Sequence, residues 1–184
     1  MKENYKNIVI SGDVGTGTST LAKGLAKKLK WKYLTAGDIF RAYHKEHNIP
    51  LWNKMALPDD FDKRIDQEFY EEMRVGKNNV LESHYGAWFA RNLNDVFRIL
   101  LVADKKVTTK RILDREHTHR ETPSEIEIRR KQLKSKFKKL YSKENYDDPK
   151  LFHLVLDTTK VGEKETMKLA LNNFLKANLK KGDQ

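Results

Sequence analysis

The chain has 184 residues and no cysteine, which excludes disulfides, thiol catalysis and cysteine-ligated zinc. No stretch approaches the roughly 20 apolar residues of a membrane span. The opening MKENYKNIVI lacks an apolar signal-peptide core, so the expectation is a soluble, cytoplasmic protein. Proline is scarce: Pro50, Pro58, Pro123 and Pro149 each fall at a candidate element boundary. No repeat or low-complexity linker divides the chain, and its length suits one α/β domain with a buried core.

Acidic residues are the minority, 26 against 37 Lys and Arg, for a net charge of +11. That excess favours anionic partners, whether nucleotides, RNA or an acidic surface. It equally suits a lysine-rich surface with no specific partner, so charge alone does not choose.

Short β-type apolar runs occupy residues 8–11, 33–35, 80–82, 97–102 and 152–157. Between them lie stretches of helical period. Leu21, Ala22, Leu25, Ala26 and Leu29 form one stripe, and Met167, Ala170, Leu171, Phe174 and Leu175 form another. Strands alternating with helices predict a parallel sheet covered on both faces, with ligands at the carboxyl ends of its strands. Two intervening regions, 37–77 and about 115–148, are too long and polar for simple crossovers. They read as helical insertions suited to closing on a ligand.

The most informative stretch follows the first apolar run: GDVGTGTST, made of Gly12, Asp13, Val14, Gly15, Thr16, Gly17, Thr18, Ser19 and Thr20. Gly12, Gly17 and Ser19 match the spacing of a phosphate-binding P-loop. Glycines let the backbone approach phosphate oxygens, and amides at a following helix N-terminus form an anion site without side-chain charge. Ser19 stands where a hydroxyl ligates Mg²⁺. What the motif lacks is its lysine, because position 18 is threonine. An ammonium near a phosphate is worth about 4 kcal/mol at 4 Å and an effective dielectric near 20, against about 1 kcal/mol for a hydroxyl hydrogen bond. Binding survives on amides, helix and metal, but phosphoryl transfer needs another cation.

Four further segments carry a resemblance: TAGDIFR after the second strand, NNVLESHYGAW around the third, KRILDRE after the fourth and LFHLVLDTTK around the fifth. With the P-loop they resemble nucleoside monophosphate kinases, most of all the archaeal-type cytidylate kinases, over about residues 8–158. Members of that branch can carry GTT or GTS where others carry GKS or GKT. The resemblance implies one P-loop domain over 1–184, a five-stranded parallel sheet in the order 2-3-1-4-5, a monophosphate-binding insertion at 37–77 and a lid near 115–148. It implies ATP-dependent phosphorylation of a nucleoside monophosphate, CMP or dCMP first, with Mg²⁺ held by Ser19 and Glu82. Gly37, Arg41, Asp66 and His84 are the implied acceptor-side residues, and Arg111, Arg115 and Arg129 the implied catalytic cations. Arg120, Arg130, Lys134 and Lys136 are further cations of the lid segment. Small-molecule nucleotides are then the partners, with neither membrane nor nucleic acid, for a protein expected to be a monomer.

Against the family pattern Leu-Glu-Gly-Arg, this chain reads Leu81-Glu82-Ser83-His84, which opens the identity of the acceptor. Each residue also has a plainer reading. Arg41 can be a surface arginine, Glu82 a strand-end charge and Arg111 with Arg115 a solvated helix face. Asp62 and Asp66 can be an exposed helical face. His44 with His47, and His117 with His119, lack a third metal ligand and read as solvent-facing. Trp31, Trp52 and Trp88 read as core or half-buried anchors. Leu133, Phe137, Leu140 and Tyr141 form an apolar stripe on a basic helix that suits either a lid or an RNA or membrane surface. The rival functions are a P-loop kinase for another acceptor (AMP, UMP or a metabolite) and a catalytically silent nucleotide- or RNA-binding protein.

Overall fold

The computed structural model describes residues 4–115 and 121–182; His117, His119 and Arg120 lie outside them. The apolar runs become β1 (Asn7–Gly12), β2 (Lys32–Thr35), β3 (Asn79–Glu82), β4 (Val96–Val102) and β5 (Leu154–Asp157). All pair in parallel, in the order β2-β3-β1-β4-β5. Central β1 is buried along its whole length, which is why it reads as a continuous rather than an alternating apolar run. The last strand starts later than its apolar run because Pro149–Leu151 forms a 3-10 turn.

The connecting helices are α1 (Thr18–Leu29), α2 (Ala36–Glu46), α3 (Asp59–Val75), α4 (Gly86–Phe89), α5 (Lys105–Leu113), α6 (Pro123–Leu140) and α7 (Glu163–Gly182). The α1 stripe and Ala170 and Phe174 of α7 cover one sheet face through Ile8, Ile10, Phe97 and Ile99. Ile65, Phe69 and Met73 of α3 cover the other through Val9 and Leu81. A third cluster joins Leu133 and Phe137 of α6 to Tyr85, Trp88 and Tyr146. The α6 stripe is therefore spent on the core and not on an RNA or membrane surface. Trp31 packs edge-on against Phe174 at 5.5 Å.

Proline marks the boundaries as expected. Pro58 precedes α3, and Pro123 opens α6, where its missing N–H has no helical partner to lose. Thr122 and Glu125 close a reciprocal capping box there. One expectation fails: Arg111 and Arg115 do not share a helix face. The α5 helix ends at Leu113, and the Arg115 amide reaches back only three residues, to the Ile112 carbonyl at 3.4 Å. Its last turn has tightened in the way helix ends commonly do.

Parallel pairing brings the P-loop, the start of α2, Glu82 and Thr158 to one edge of the sheet, because each follows or ends a strand. In register, Glu82 stands beside Ile10 on one side and Thr35 on the other.

Candidate active site

Gly15 and Gly17 adopt φ of 82° and 99°, the left-handed region that glycine alone enters without strain. At Gly12 the reason is space: a Cβ would lie 2.6 Å from Thr16 Oγ1 and 2.7 Å from the Leu101 carbonyl. Gly17 precedes α1, and no side chain caps that helix, so its first amides remain available to an anion. The loop is braced from within by Thr16 Oγ1, which donates to the Asp13 carbonyl at 2.8 Å. Thr158 Oγ1 braces it from the end of β5, donating to the Thr16 carbonyl at 2.9 Å.

Thr18 and Ser19 both donate to Oε1 of Glu82 at 2.7 Å, and the Tyr33 hydroxyl donates to Oε2 at 2.8 Å. Burial alone would raise the Glu82 pKa, but these hydroxyl hydrogen bonds outweigh it and hold the carboxyl below its ordinary value. A carboxylate kept ionised beside the Ser19 hydroxyl is a hard-oxygen donor set. It suits Mg²⁺, which binds through few protein ligands plus water and phosphate. Among the described residues no cluster of three or more His, Asp or Glu forms a protein-only metal cage.

On one side of the loop lies a cleft of polar and apolar lining that opens to solvent. Gly12, Thr18, Gly37, Arg41, His84 and Arg129 line it, together with Glu82 and Asp66. Arg41 pairs with Asp38, and a Cβ on Gly37 would lie 3.0 Å from its Nη1, so glycine leaves room for the guanidinium. His84 Nδ1–H donates to the Gly12 carbonyl at 2.8 Å. Burial lowers its pKa, so it is a neutral brace on the P-loop and not a cation standing in for arginine.

Arg129 is largely buried and ion-paired with Glu121; burial lowers its pKa and Glu121 opposes that. The other cations of the segment point elsewhere. Arg130 donates to Thr108 Oγ1 at 2.6 Å and sits 3.1 Å from Asp13 Oδ2, tying α6 to the P-loop. Fully buried Lys136 donates to the Leu57 carbonyl and to Asp59, both at 2.6 Å. Lys134 pairs with Asp147 at the surface.

A second cleft of about 360 Å³ opens on the other side of the loop, where Gly15, Gly17 and Thr20 meet Arg111, Arg115 and Thr158. Arg111 donates to Thr158 Oγ1 at 3.0 Å and to its carbonyl at 2.6 Å. The exposed side chain of Arg115 makes no hydrogen bond or ion pair with a described residue. Both arginines thus line one cleft although Arg115 lies beyond the end of α5.

Two readings of polar residues are corrected. Asp62 and Asp66 are not an exposed face: they are 0% and 3% exposed. The spacing carried a signal, since Asp62, Ile65, Asp66, Phe69 and Met73 share one helical stripe. His44 is also buried rather than solvent-facing, and it lines the cleft of Arg41 and Arg129. His47 does face solvent, stacked on Tyr43. Lys54 belongs to no motif, yet its side chain is 5% exposed, paired with Asp62 and part of the same cleft.

A glycine loop between two clefts, on a parallel sheet ordered 2-3-1-4-5, defines a P-loop kinase domain. The family model described as "AAA domain" matches residues 8–135. A cytidylate kinase of Sulfolobus acidocaldarius is 36% identical over 94% of this chain and 96% of its own. One from Ignicoccus hospitalis is 38% identical over 89% and 98%. A gluconokinase structure from Sinorhizobium meliloti aligns with a TM-score of 0.66 at 15% identity, over 97% of each chain, a likeness of fold. The chain belongs to the cytidylate kinase family.

Proposed function

We propose that this protein is a nucleoside monophosphate kinase that transfers the γ-phosphoryl group of ATP to CMP, giving CDP and ADP. The observation that carries this reading is the pair of clefts flanking one P-loop. ATP lies in the cleft of Arg111, Arg115 and Thr158, with its phosphates on the amides of residues 12–20. The monophosphate lies in the cleft of Arg41 and Arg129, with the region 37–77 as its binding insertion and residues 115–148 as the lid.

An oxygen of the acceptor phosphate attacks the γ-phosphorus while the bond to the β,γ-bridging oxygen breaks, and ADP leaves with that electron pair. No covalent enzyme intermediate is needed. Arg41 orients the acceptor phosphate through its guanidinium fork. Arg129, drawn from Glu121 by the incoming charge, offsets the charge that the absent lysine leaves uncovered. Ser19 and Glu82 would hold Mg²⁺, which neutralises donor phosphate charge when bound. Closure of the helical insertions over the two nucleotides excludes water and suppresses ATP hydrolysis.

The test is ADP release from Mg-ATP with CMP, dCMP, UMP, AMP and GMP, beside a control without acceptor. Turnover strongest on CMP or dCMP is expected. A preference for another acceptor moves the substrate, and acceptor-independent ADP release or none removes the reading.

A further inference from the structure

We infer that Lys54 and Asp66 form a donor–acceptor pair that reads the edge of the acceptor's base and sets a preference for cytosine over uracil. This rests on the reading of that cleft as the acceptor site. The cleft divides by chemistry. Gly12, Thr18 and Glu82 line it at the P-loop, whereas Lys54 is ion-paired with Asp62 of α3 and Asp66 of the same helix accepts from Tyr141. Phe40, Leu51 and Leu133 supply apolar lining, a slot suited to a ring.

Both members of the pair carry unspent hydrogen-bonding capacity. The Lys54 ammonium is buried, ion-paired with Asp62 and seated 3.4 Å from the centre of the Phe40 ring. Beyond that ion pair it makes no hydrogen bond within the described structure, although it has three N–H donors. A buried donor left unmet is costly, and the cleft is where a partner fits. The Tyr141 hydroxyl donates to Oδ2 of Asp66 at 2.7 Å, while Oδ1 accepts nothing from the described residues. The first residue offers N–H, the second an oxygen lone pair.

Cytosine matches that order. Its 4-amino group donates to the Asp66 carboxylate, and its N3 and O2 lone pairs accept from Lys54. Uracil inverts it, setting the O4 lone pairs against the carboxylate and an N3–H against the ammonium. Sites with buried polar groups discriminate strongly when those groups would go unpaired.

The same geometry makes the discrimination depend on pH. Burial pushes the Asp66 carboxyl up to about 7, with Tyr141 and Lys54 pulling it down and Asp62 pushing it up. A protonated Asp66 can donate to O4 and relieve the mismatch, so uracil is penalised most above that pH. The other groups facing this end are His44 of α2, held neutral by burial, Tyr85, whose hydroxyl donates to the Leu133 carbonyl, and Lys136, committed to Asp59, Asp62 and the Leu57 carbonyl.

The experiment is kcat/KM for CMP and for UMP from pH 6 to 8.5, in the wild type, Asp66→Asn and Lys54→Met, with melting curves to establish folding. Titrations that affect both substrates alike cancel in the ratio. The wild-type CMP/UMP ratio is expected to rise about tenfold across this range. In Asp66→Asn, whose amide can donate to O4, the ratio should fall about tenfold or more and lose its pH dependence. Lys54→Met should raise KM for CMP more than it lowers kcat. A wild-type ratio that stays flat, with good turnover of CMP, overturns the inference while leaving the kinase reading intact, and needs no variant to fold. Absence of turnover on either nucleotide removes the kinase reading and this one with it.

Discussion

Oε1 of Glu82 accepts two hydrogen bonds of 2.7 Å, one from Ser19 and one from Thr18. The residue that replaces the P-loop lysine therefore acts on the carboxylate opposite the loop. It helps hold that carboxylate ionised, where a lysine would have addressed phosphate directly. Thr18→Val keeps the shape and removes one of the hydroxyl donors. A net hydrogen bond is worth about 1 kcal/mol, so Mg-ATP affinity measured by calorimetry should fall about fivefold with the melting temperature nearly unchanged. Unaltered affinity would make the Thr18 bond a bystander, and a loss beyond about 100-fold would mean that the hydroxyl also meets the nucleotide.

Arg129 lines the same cleft as Thr18 and Glu82, with Arg41 and Lys54. Arg129→Ala should lower kcat by about 10³-fold while leaving the dissociation constant of ATP within about threefold, and Arg129→Lys should recover part of that loss. Stopped-flow single turnover separates the chemical step from product release. A normal single-turnover rate in Arg129→Ala would take this arginine out of the transition state.

Two buried carboxyls should tilt stability in opposite directions with pH. Asp66 has its folded pKa raised to about 7 by burial. Its favourable contribution is complete below the pKa of the unfolded chain and is lost as pH rises through the folded value. Glu82 has its folded pKa lowered, so its contribution holds above the unfolded value and disappears as pH falls. A tenfold difference in proton affinity between folded and unfolded chain corresponds to about 1.4 kcal/mol of stability. Melting temperatures from pH 5 to 8.5 should therefore favour Asp66→Asn over the wild type increasingly up to about pH 7 and level off above it. A constant difference between the two would contradict a neutral Asp66 in the folded protein at low pH.

Lys136 is completely buried against Asp59 and Asp62, whereas Lys134, two residues away, pairs with Asp147 at a half-exposed surface position. Removing one partner of a buried pair costs about 3–5 kcal/mol, and an exposed pair is worth about 0–1 kcal/mol. Urea denaturation of Lys136→Met and Lys134→Met should show that contrast. Equal effects would mean that the α3–α6 clasp contributes nothing to stability.

The strands and the P-loop were legible because their signals are local: apolar runs, glycines at fixed spacing and prolines at boundaries; the strand order, a relation between distant segments, came only through the family resemblance. Arg41 and Arg111 were legible through motif segments. Lys54 was not, since LWNKMALP has no periodicity, and its burial arises only when α2, α3 and α6 converge on it. Asp62 and Asp66 of α3 were readable in principle from their place on the Ile65–Phe69 stripe. Acidic residues on a helix are usually solvated, however, and only the opposing Lys54 and Lys136 make their burial tolerable. Arg130 resembles its neighbour Arg129 in sequence; one helical step sends it to Thr108 and Asp13 instead of into the cleft.

The hydrogen bond from Thr158 to the Thr16 carbonyl spans 142 positions of sequence, and Arg130 braces Asp13 from far along the chain as well. A nascent chain still threaded through the ribosome can carry the whole glycine motif without either brace. The glycine motif therefore reaches its braced geometry only once β5 has docked beside it.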